Sequence, residues 1–144
     1  MGNQILELDL AGLEILAGEI AQKIIPGDVF YLKGDLGAGK TSFVRALLNS
    51  LGFNGAVKSP TYSLIESYVL NNLDNLNIHH LDLYRLKDAS ELEQVGLEDL
   101  LTNASVFLIE WPECGEGYLP RPTKVIEFFH HPTEPLLRII KIEL

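Results

Sequence analysis

Hydrophobic positions recur with a helical period in two stretches of the chain. The first stretch has apolar residues at i, i+3, i+4, i+7, i+8 and i+11, a spacing that places them on one face of a helix. These residues are Leu13, Leu16, Ala17, Ile20, Ala21 and Ile24. The second stretch ends near Gly52, a residue suited to a helix C-terminal cap, and its apolar face consists of Phe43, Val44, Leu47, Leu48 and Leu51. The pattern predicts two helices that each present one face to a sheet.

Short segments of strand type occupy much of the remaining sequence. They lie at residues 4–8, 29–32, 64–70, 78–84, 105–109, 125–129 and 136–144. The Asn-rich stretch 71–77 predicts a turn that joins two of these segments as a hairpin. The last two segments are separated by a short connection, which favours an antiparallel pair because a parallel crossover needs a dozen or more residues. Helical and strand patterns together indicate an α/β fold.

A glycine-rich loop lies between the apolar run at 29–32 and the second helix. Its residues are Gly34, Asp35, Leu36, Gly37, Ala38, Gly39, Lys40 and Thr41, followed by Ser42. The form G-x-x-x-x-G-K-[ST], placed between a strand and a helix, predicts a phosphate-binding loop for ATP. Backbone N–H groups would surround the phosphates, Lys40 would reach the β and γ phosphates, and the Thr41 hydroxyl would bind Mg²⁺. The alternative, a glycine-rich turn with an incidental lysine, requires all these residue types to coincide in the right context.

Two carboxylates follow later strand segments. Asp82 lies near the end of the segment 78–84, and Glu110 comes directly after 105–109. In an open parallel sheet, ligands bind beyond the carboxyl ends of the strands, so both side chains are expected near Lys40. We predict that Asp82 holds Mg²⁺ directly or through water. Glu110 is predicted to contribute to the metal site and to orient or activate the attacking water.

Neighbouring residues of these strands receive no catalytic role from the sequence. His79 and His80 are adjacent, so on a strand they point to opposite faces and cannot hold a metal together. Trp111 follows Glu110 and has two interpretations: it shields the site or contacts a nucleotide or partner, or it packs at the sheet edge.

Two polar segments leave alternatives open. Residues 59–63 group several hydroxyls around Pro60, as in a polar turn or in a switch that orders with the γ-phosphate. Asp88-Ala89-Ser90-Glu91 predicts a capping box that opens a short acidic helix, interrupted at Gly96. The acidic face is either simply solvated or a surface for a partner.

Composition and charge restrict the classes of function. The net charge is −9, and the eleven Lys and Arg residues form no cluster, which argues against direct binding of nucleic acid by this chain alone. No apolar run approaches the ~20 residues that span a bilayer, and the first residues lack the pattern of a secretory signal. The single cysteine, Cys114, is compatible with a reducing compartment. We therefore expect a cytoplasmic protein without membrane attachment, which can dock on a protein partner.

The assembled motifs resemble the bacterial TsaE (YjeE) ATPases of tRNA threonylcarbamoyladenosine biosynthesis. The resemblance rests on the loop at 34–41 and on four later motifs: Ser59-Pro60-Thr61-Tyr62, His80-Leu81-Asp82-Leu83-Tyr84-Arg85, Glu91-Leu92 with Gly96, and Glu110-Trp111-Pro112. It covers about residues 10–120. The fold expected for residues 1–144 is a single three-layer P-loop NTPase-like α/β domain, with a mostly parallel central sheet and antiparallel edge strands.

The resemblance implies hydrolysis of ATP to ADP and phosphate. It places Thr61 in a switch loop, gives Glu110 a part in hydrolysis and makes Asp82 a residue of the magnesium side. It also implies a partner, the TsaB–TsaD complex, which transfers threonylcarbamoyl to the adenosine at tRNA position 37, and a slow turnover without that partner. This chain departs from many relatives at Leu13, where they carry a threonine associated with the nucleotide base.

Two other classes of function compete with this interpretation. A small-molecule kinase would use Asp82 as a base, but such enzymes usually carry an arginine-bearing lid, and the sequence has no arginine cluster. A nucleotide-gated binding module would depend on its affinity for a partner more than on turnover. A GTPase is disfavoured, because Asp82-Leu83-Tyr84-Arg85 lacks the glycine of D-x-x-G and no N-K-x-D follows.

Overall fold

The computed structural model of the protein describes residues 3–58, 64–101 and 104–143. The strands are β1 (Gln4–Leu8), β2 (Val29–Gly34), β3 (Ile65–Leu70), β4 (Leu76–Asp82), β5 (Ser105–Glu110), β6 (Lys124–His130) and β7 (Arg138–Glu143). The α-helices are α1 (Leu10–Ala21), α2 (Lys40–Ser50) and α3 (Leu97–Leu100), and short 3₁₀ turns lie at Asn71–Leu73, Ala89–Gln94 and Pro112–Gly115.

All of these strands belong to one sheet in the order β1-β7-β6-β2-β5-β4-β3. Its centre is parallel, because β2 pairs in parallel with both β5 and β6, and β4 pairs in parallel with β5. The remaining pairs, β3 with β4, β6 with β7 and β1 with β7, are antiparallel. The predicted fold class is confirmed, as are the hairpin and the antiparallel pair of the last two strands.

Helices α1 and α2 cover one face of the sheet. The Asp9 side chain caps α1 by accepting a hydrogen bond from Gly12 N at 2.8 Å. The predicted stripe from Leu13 to Ile20 is buried, but α1 ends at Ala21, so the prediction that Ile24 continues the helix is wrong. Ile24 packs against the core from the turn that follows, where Ile25 N donates to Asp28 Oδ2 at 3.0 Å.

The opposite face of the sheet is covered by shorter elements. Leu92 of the 3₁₀ turn and Leu97 of α3 pack with Leu81, Phe107 and Ile109 in a second buried cluster. The capping box formed by Asp88 and Glu91 is present, and Gly96 interrupts the segment at φ +71°, both as predicted. The acidic stretch forms a 3₁₀ turn and one short helix. Among the described residues, no helix has the length and apolarity to cross a membrane.

Candidate functional site

The glycine-rich loop connects β2 to α2 at the carboxyl edge of the sheet. Gly34 has φ +146°, and a Cβ at this position would lie 2.4 Å from the Phe128 carbonyl oxygen. Gly39 precedes α2 with φ +113°, a left-handed conformation that L side chains rarely adopt. Because α2 begins at Lys40, the unpaired N–H groups of its first turn open onto the loop, which is the arrangement that favours an anion.

Lys40 is buried and directed back onto its own loop. Its Nζ donates to the carbonyl oxygens of Gly34 and, at 3.2 Å, of Asp35, and lies 4.1 Å from the centroid of the Trp111 ring. Burial lowers the pKa of Lys40, although the charges of Glu110 and Asp82 act in the opposite direction. In this arrangement, carbonyl oxygens hold the ammonium group where a phosphate would be its stronger partner.

Asp82 and Glu110 are cross-strand neighbours at the ends of β4 and β5. The Glu110 carboxylate accepts long hydrogen bonds from Thr41 Oγ1, at 3.4 and 3.3 Å. Asp82 Oδ1 accepts from Tyr84 N at 3.1 Å. Burial raises the pKa of Asp82; the hydrogen bond from Tyr84 opposes this rise, and the charge of Glu110 adds to it.

One cavity of about 270 Å³ brings most of the predicted site residues together. Its lining consists of Leu36, Gly37, Ala38, Gly39, Lys40, Thr41, Ser42, Asp82, Glu110 and Trp111. Gly34 and Asp35 do not line it, but their carbonyl oxygens hold Lys40. Thr61 and the rest of the segment 59–63 lie outside the described residues, so the switch remains a prediction.

His80 is the site residue that sequence reasoning missed. Its side chain is fully buried, and Nε2 lies 2.5 Å from Glu110 Oε2. The alternation of side chains along β4 gives the signal, because residues i and i+2 share a face and His80 therefore lies on the same face as Asp82. Asp82 is opposite Glu110 in the register, and His80 is opposite Leu108, two residues before Glu110. The sequence places His80 in a motif of the family and assigns it no catalytic role. Its neighbour His79 points to the other face, where its Nδ1 lies 2.7 Å from Ser67 Oγ.

Trp111 lines the cavity and has an unusual backbone. With φ +57°, it is a non-glycine residue in the left-handed region, and its ring packs against both Lys40 and Tyr84. Such conformations carry strain and concentrate at functional sites. The ring therefore covers the lysine, a geometry that favours the shielding interpretation of Trp111.

The oxygen groups at the cavity suit magnesium. Mg²⁺ is usually held by one or two carboxylates together with waters and substrate phosphates. The Thr41 hydroxyl and the carboxylates of Asp82 and Glu110 provide such a set beside the loop. Among residues 3–58, 64–101 and 104–143, no group of three or more His, Cys, Asp or Glu residues that could hold a metal occurs.

A second cavity, of about 250 Å³, adjoins the other side of the loop. Gly37, Gly39 and Ser42 form its loop wall. Its apolar wall comes from distant parts of the chain and consists of Leu8, Leu10, Leu13, Leu136 and Ile140. A flat apolar group attached to a phosphate in the loop would find room here.

Known proteins are similar to this chain over most of its length. The sequence profile of the family described as "Threonylcarbamoyl adenosine biosynthesis protein TsaE" matches residues 9–136. The tRNA threonylcarbamoyladenosine biosynthesis protein TsaE of Haemophilus influenzae is 52% identical over 90 residues, which cover 62% of this chain and 55% of that protein. The protein of the same name from Rickettsia conorii is 42% identical over 108 residues, covering 74% and 59%. The match thus spans little more than half the length of these relatives.

A solved structure shares the fold. The crystal structure of Bacillus subtilis YdiB superposes with a TM-score of 0.77 at 27% sequence identity, covering 98% of this chain and 84% of that chain. The similarity therefore includes β6 and β7, for which the sequence analysis found no motif.

Proposed function

Because the chain belongs to the TsaE family of threonylcarbamoyl adenosine biosynthesis proteins, we propose that it binds and hydrolyses ATP in support of tRNA threonylcarbamoyladenosine formation. One observation carries the proposal: Lys40, Thr41, Asp82 and Glu110 line a single cavity at the carboxyl edge of the parallel strands. This edge is where ligands bind in open α/β sheets.

The loop and the start of α2 would bind the triphosphate. The N–H groups of the loop and the first turn of α2 supply donors, and Lys40 exchanges the carbonyl oxygens of Gly34 and Asp35 for phosphate oxygens. The release of these two carbonyl contacts is compensated by bonds to phosphate oxygens, in which the acceptor as well as the donor is charged. Trp111 excludes water from one side of the ammonium group.

Magnesium would be held by Thr41 and Asp82, with Glu110 near enough to contribute. When bound, the ion neutralises charge that develops on the transferred phosphoryl group. Glu110 then has a second part, which is to orient the attacking water or accept its proton. His80 donates to Glu110 Oε2 and so fixes the orientation of this carboxylate.

The apolar cavity beside the loop would take the nucleoside. Leu13 provides an apolar surface there, which suits the face of a base and makes no hydrogen bond to its edge. Any hydrogen bonds to the base edge would have to come from other residues of this cavity, such as Asp9 or Arg138.

The TsaB–TsaD complex is the proposed partner, and the cytoplasm is the proposed location. The net charge of −9 supports a protein partner over direct contact with tRNA. Turnover is proposed to be slow without the complex, and Thr61 is proposed to belong to a switch segment that responds to the γ-phosphate.

The decisive experiment is depletion of the protein in its host, followed by mass spectrometry of tRNA nucleosides. We expect threonylcarbamoyladenosine to fall and to be restored by the wild-type protein but not by Lys40→Ala. Undiminished modification in a host without a second pathway would refute the proposal. Purified protein that releases inorganic phosphate from ATP, with no phosphorylated acceptor, would exclude the kinase alternative.

A nucleotide-gated binding module is the second candidate, and the contacts of the site favour it specifically. Lys40 is bonded to its own loop and Thr41 to Glu110, so nucleotide binding must change the contacts of these two side chains. Capture of TsaB–TsaD in the presence of ATP, ADP or no nucleotide separates the two candidates. Capture that depends on ATP, without measurable hydrolysis by the complex, would support the module.

A further inference from the structure

The end of β6 and the start of β7 lie against the glycine-rich loop. His130, the last residue of β6, and Arg138, the first residue of β7, are directly opposite each other in the antiparallel register. His130 Nε2 donates to the Leu36 carbonyl oxygen at 3.1 Å, and Arg138 Nη2 donates to the Gly37 carbonyl oxygen at 3.3 Å. A cross-strand pair therefore bonds two successive peptide groups of the loop.

Peptide geometry gives these bonds a consequence for the other side of the loop. The described peptides are trans, so each N–H points away from the C=O of the same peptide plane. Carbonyls held towards β6 and β7 direct the N–H groups of Gly37 and Ala38 away from these strands. Ala38 N accordingly lies 3.2 Å from the Asp35 carbonyl oxygen, within the loop, where that oxygen also accepts from Lys40.

The position of Arg138 is fixed independently of the loop. Its Nη1 donates to the carbonyl oxygens of Pro135 at 2.8 Å and Leu137 at 2.9 Å. None of the salt bridges found among the described residues includes Arg138. The guanidinium therefore stands beside the loop as an anchored positive charge, and it reaches Gly37 from a rigid strand.

We propose that His130 and Arg138 are positioning residues that preorganise the loop for phosphate. They hold the Leu36 and Gly37 carbonyls outward, so that the loop does not have to be ordered at the moment of binding, and preorganisation of this kind lowers the cost of association. The inference rests on the proposed nucleotide binding. It assigns a part in that binding to strands outside every motif of the sequence analysis.

Two other roles are open to Arg138 and must be separated. Arg138 lines the apolar cavity, so it could contact the nucleoside directly. It could also simply brace the sheet. If Arg138 contacts the nucleoside, its removal weakens the binding of ATP but not of a bare polyphosphate. If Arg138 braces the sheet, its removal lowers the thermal stability of the nucleotide-free protein rather than its affinity for phosphate.

The test measures the dissociation constants of Mg·ATP and Mg·tripolyphosphate, the latter by displacement of a fluorescent ATP analogue. We compare Arg138→Ala, Arg138→Lys, His130→Ala and His130→Gln with the wild type. Arg121→Ala is the control, since it removes the same charge from an exposed position. We expect Arg138→Ala and His130→Ala each to raise the dissociation constants of both ligands by the same factor. The loss of one hydrogen bond corresponds to about 3- to 10-fold. The Arg138→Lys and His130→Gln variants keep a donor and should lose less affinity.

A second readout needs no nucleotide. In ¹⁵N-labelled protein without ligand, the amide signals of Gly37 and Ala38 should shift and exchange faster in Arg138→Ala and His130→Ala, and stay in place in Arg121→Ala. Unmoved signals, unchanged affinities, or a loss confined to Mg·ATP would overturn the inference. Wild-type protein that binds neither ligand would instead overturn the proposed function.

Discussion

His80 Nε2 and Glu110 Oε2 lie 2.5 Å apart, and neither side chain has appreciable contact with solvent. A buried carboxylate without a donor is costly, so His80 both stabilises Glu110 and determines the direction of its other oxygen, Oε1. His80 Nδ1 is buried without a hydrogen-bond partner among the described residues. His80 therefore fixes the Glu110 carboxylate through Nε2, while its Nδ1 stays unsatisfied.

Replacement of His80 by alanine tests this relationship. We expect ATP affinity close to that of the wild type, a kcat lowered by about 10-fold, and a loss of about 1–3 kcal/mol in the free energy of unfolding, because Glu110 loses its buried donor. Phosphate release at saturating ATP and urea denaturation measure the two effects. His80→Gln, which keeps a donor, should recover part of kcat; full activity in a folded His80→Ala protein would contradict the role.

Lys40→Ala should abolish productive ATP binding and leave the fold intact. Among the described residues, the lysine ammonium group donates to carbonyl oxygens of its own loop and packs on the Trp111 ring, so its removal takes away a phosphate ligand and one contact at the edge of the sheet. Titration with a fluorescent ATP analogue measures binding, and circular dichroism checks the fold. Lys23→Ala, at an exposed position, is the matched control. Unchanged binding of the ATP analogue by Lys40→Ala would contradict the proposal that the loop binds the phosphates of ATP.

Glu110→Ala should retain nucleotide binding and slow hydrolysis. A positioned general base contributes about 100-fold or more to a rate, and the loss of Glu110 removes that contribution. Single-turnover phosphate release, with the TsaB–TsaD complex present, is the measurement. Glu116→Ala removes an equal charge from an exposed position nearby in sequence and should be active. Equal turnover in Glu110→Ala and wild type would exclude Glu110 from the chemistry.

Asp82→Asn should stabilise the nucleotide-free protein near neutral pH and weaken its binding of Mg·ATP. Burial raises the pKa of Asp82 in the folded state, so the folded protein holds this proton more tightly than the unfolded chain. The contribution of protonated Asp82 to the free energy of unfolding is therefore present at low pH, and it is lost as the pH rises through the raised pKa. The neutral asparagine avoids that loss and can still accept from Tyr84 N.

The difference in Tm between Asp82→Asn and wild type should therefore be positive at pH 7 and shrink towards zero as Asp82 becomes protonated in acid. Thermal denaturation from pH 7 down to pH 4, without nucleotide or metal, makes the comparison. Glu116→Gln controls for the removal of one negative charge. A Tm difference that grows on acidification would show that the carboxylate is not destabilised by burial.

Sequence reasoning placed residues correctly where their positions in the fold follow from local context. The loop is identified by residue types at fixed spacing, and Asp82 and Glu110 by their positions at strand ends, which the parallel register then makes neighbours. Periodicity could not tell that α1 ends before Ile24, because an apolar side chain in a turn can reach the same core as one on a helix.

Other features depend on contacts between distant segments, which no local pattern contains. His80 required the strand pairing to be known before its distance from Glu110 had meaning. The apolar cavity is assembled from β1, α1, the loop and the residues around β7. The contacts of His130 and Arg138 with the loop follow from the place of β6 beside β2, which the sequence order of the strands does not predict.

The place of β6 beside β2 also bears on how the protein is made. Translation delivers the glycine-rich loop early, whereas the strand that packs against Gly34 and the pair that bonds Leu36 and Gly37 emerge much later. A nascent chain that already contains the complete G-x-x-x-x-G-K-[ST] sequence therefore lacks the supports of its loop. Nucleotide affinity should mature only when β6 and β7 have left the ribosome, which would protect incomplete chains from engaging ATP or a partner.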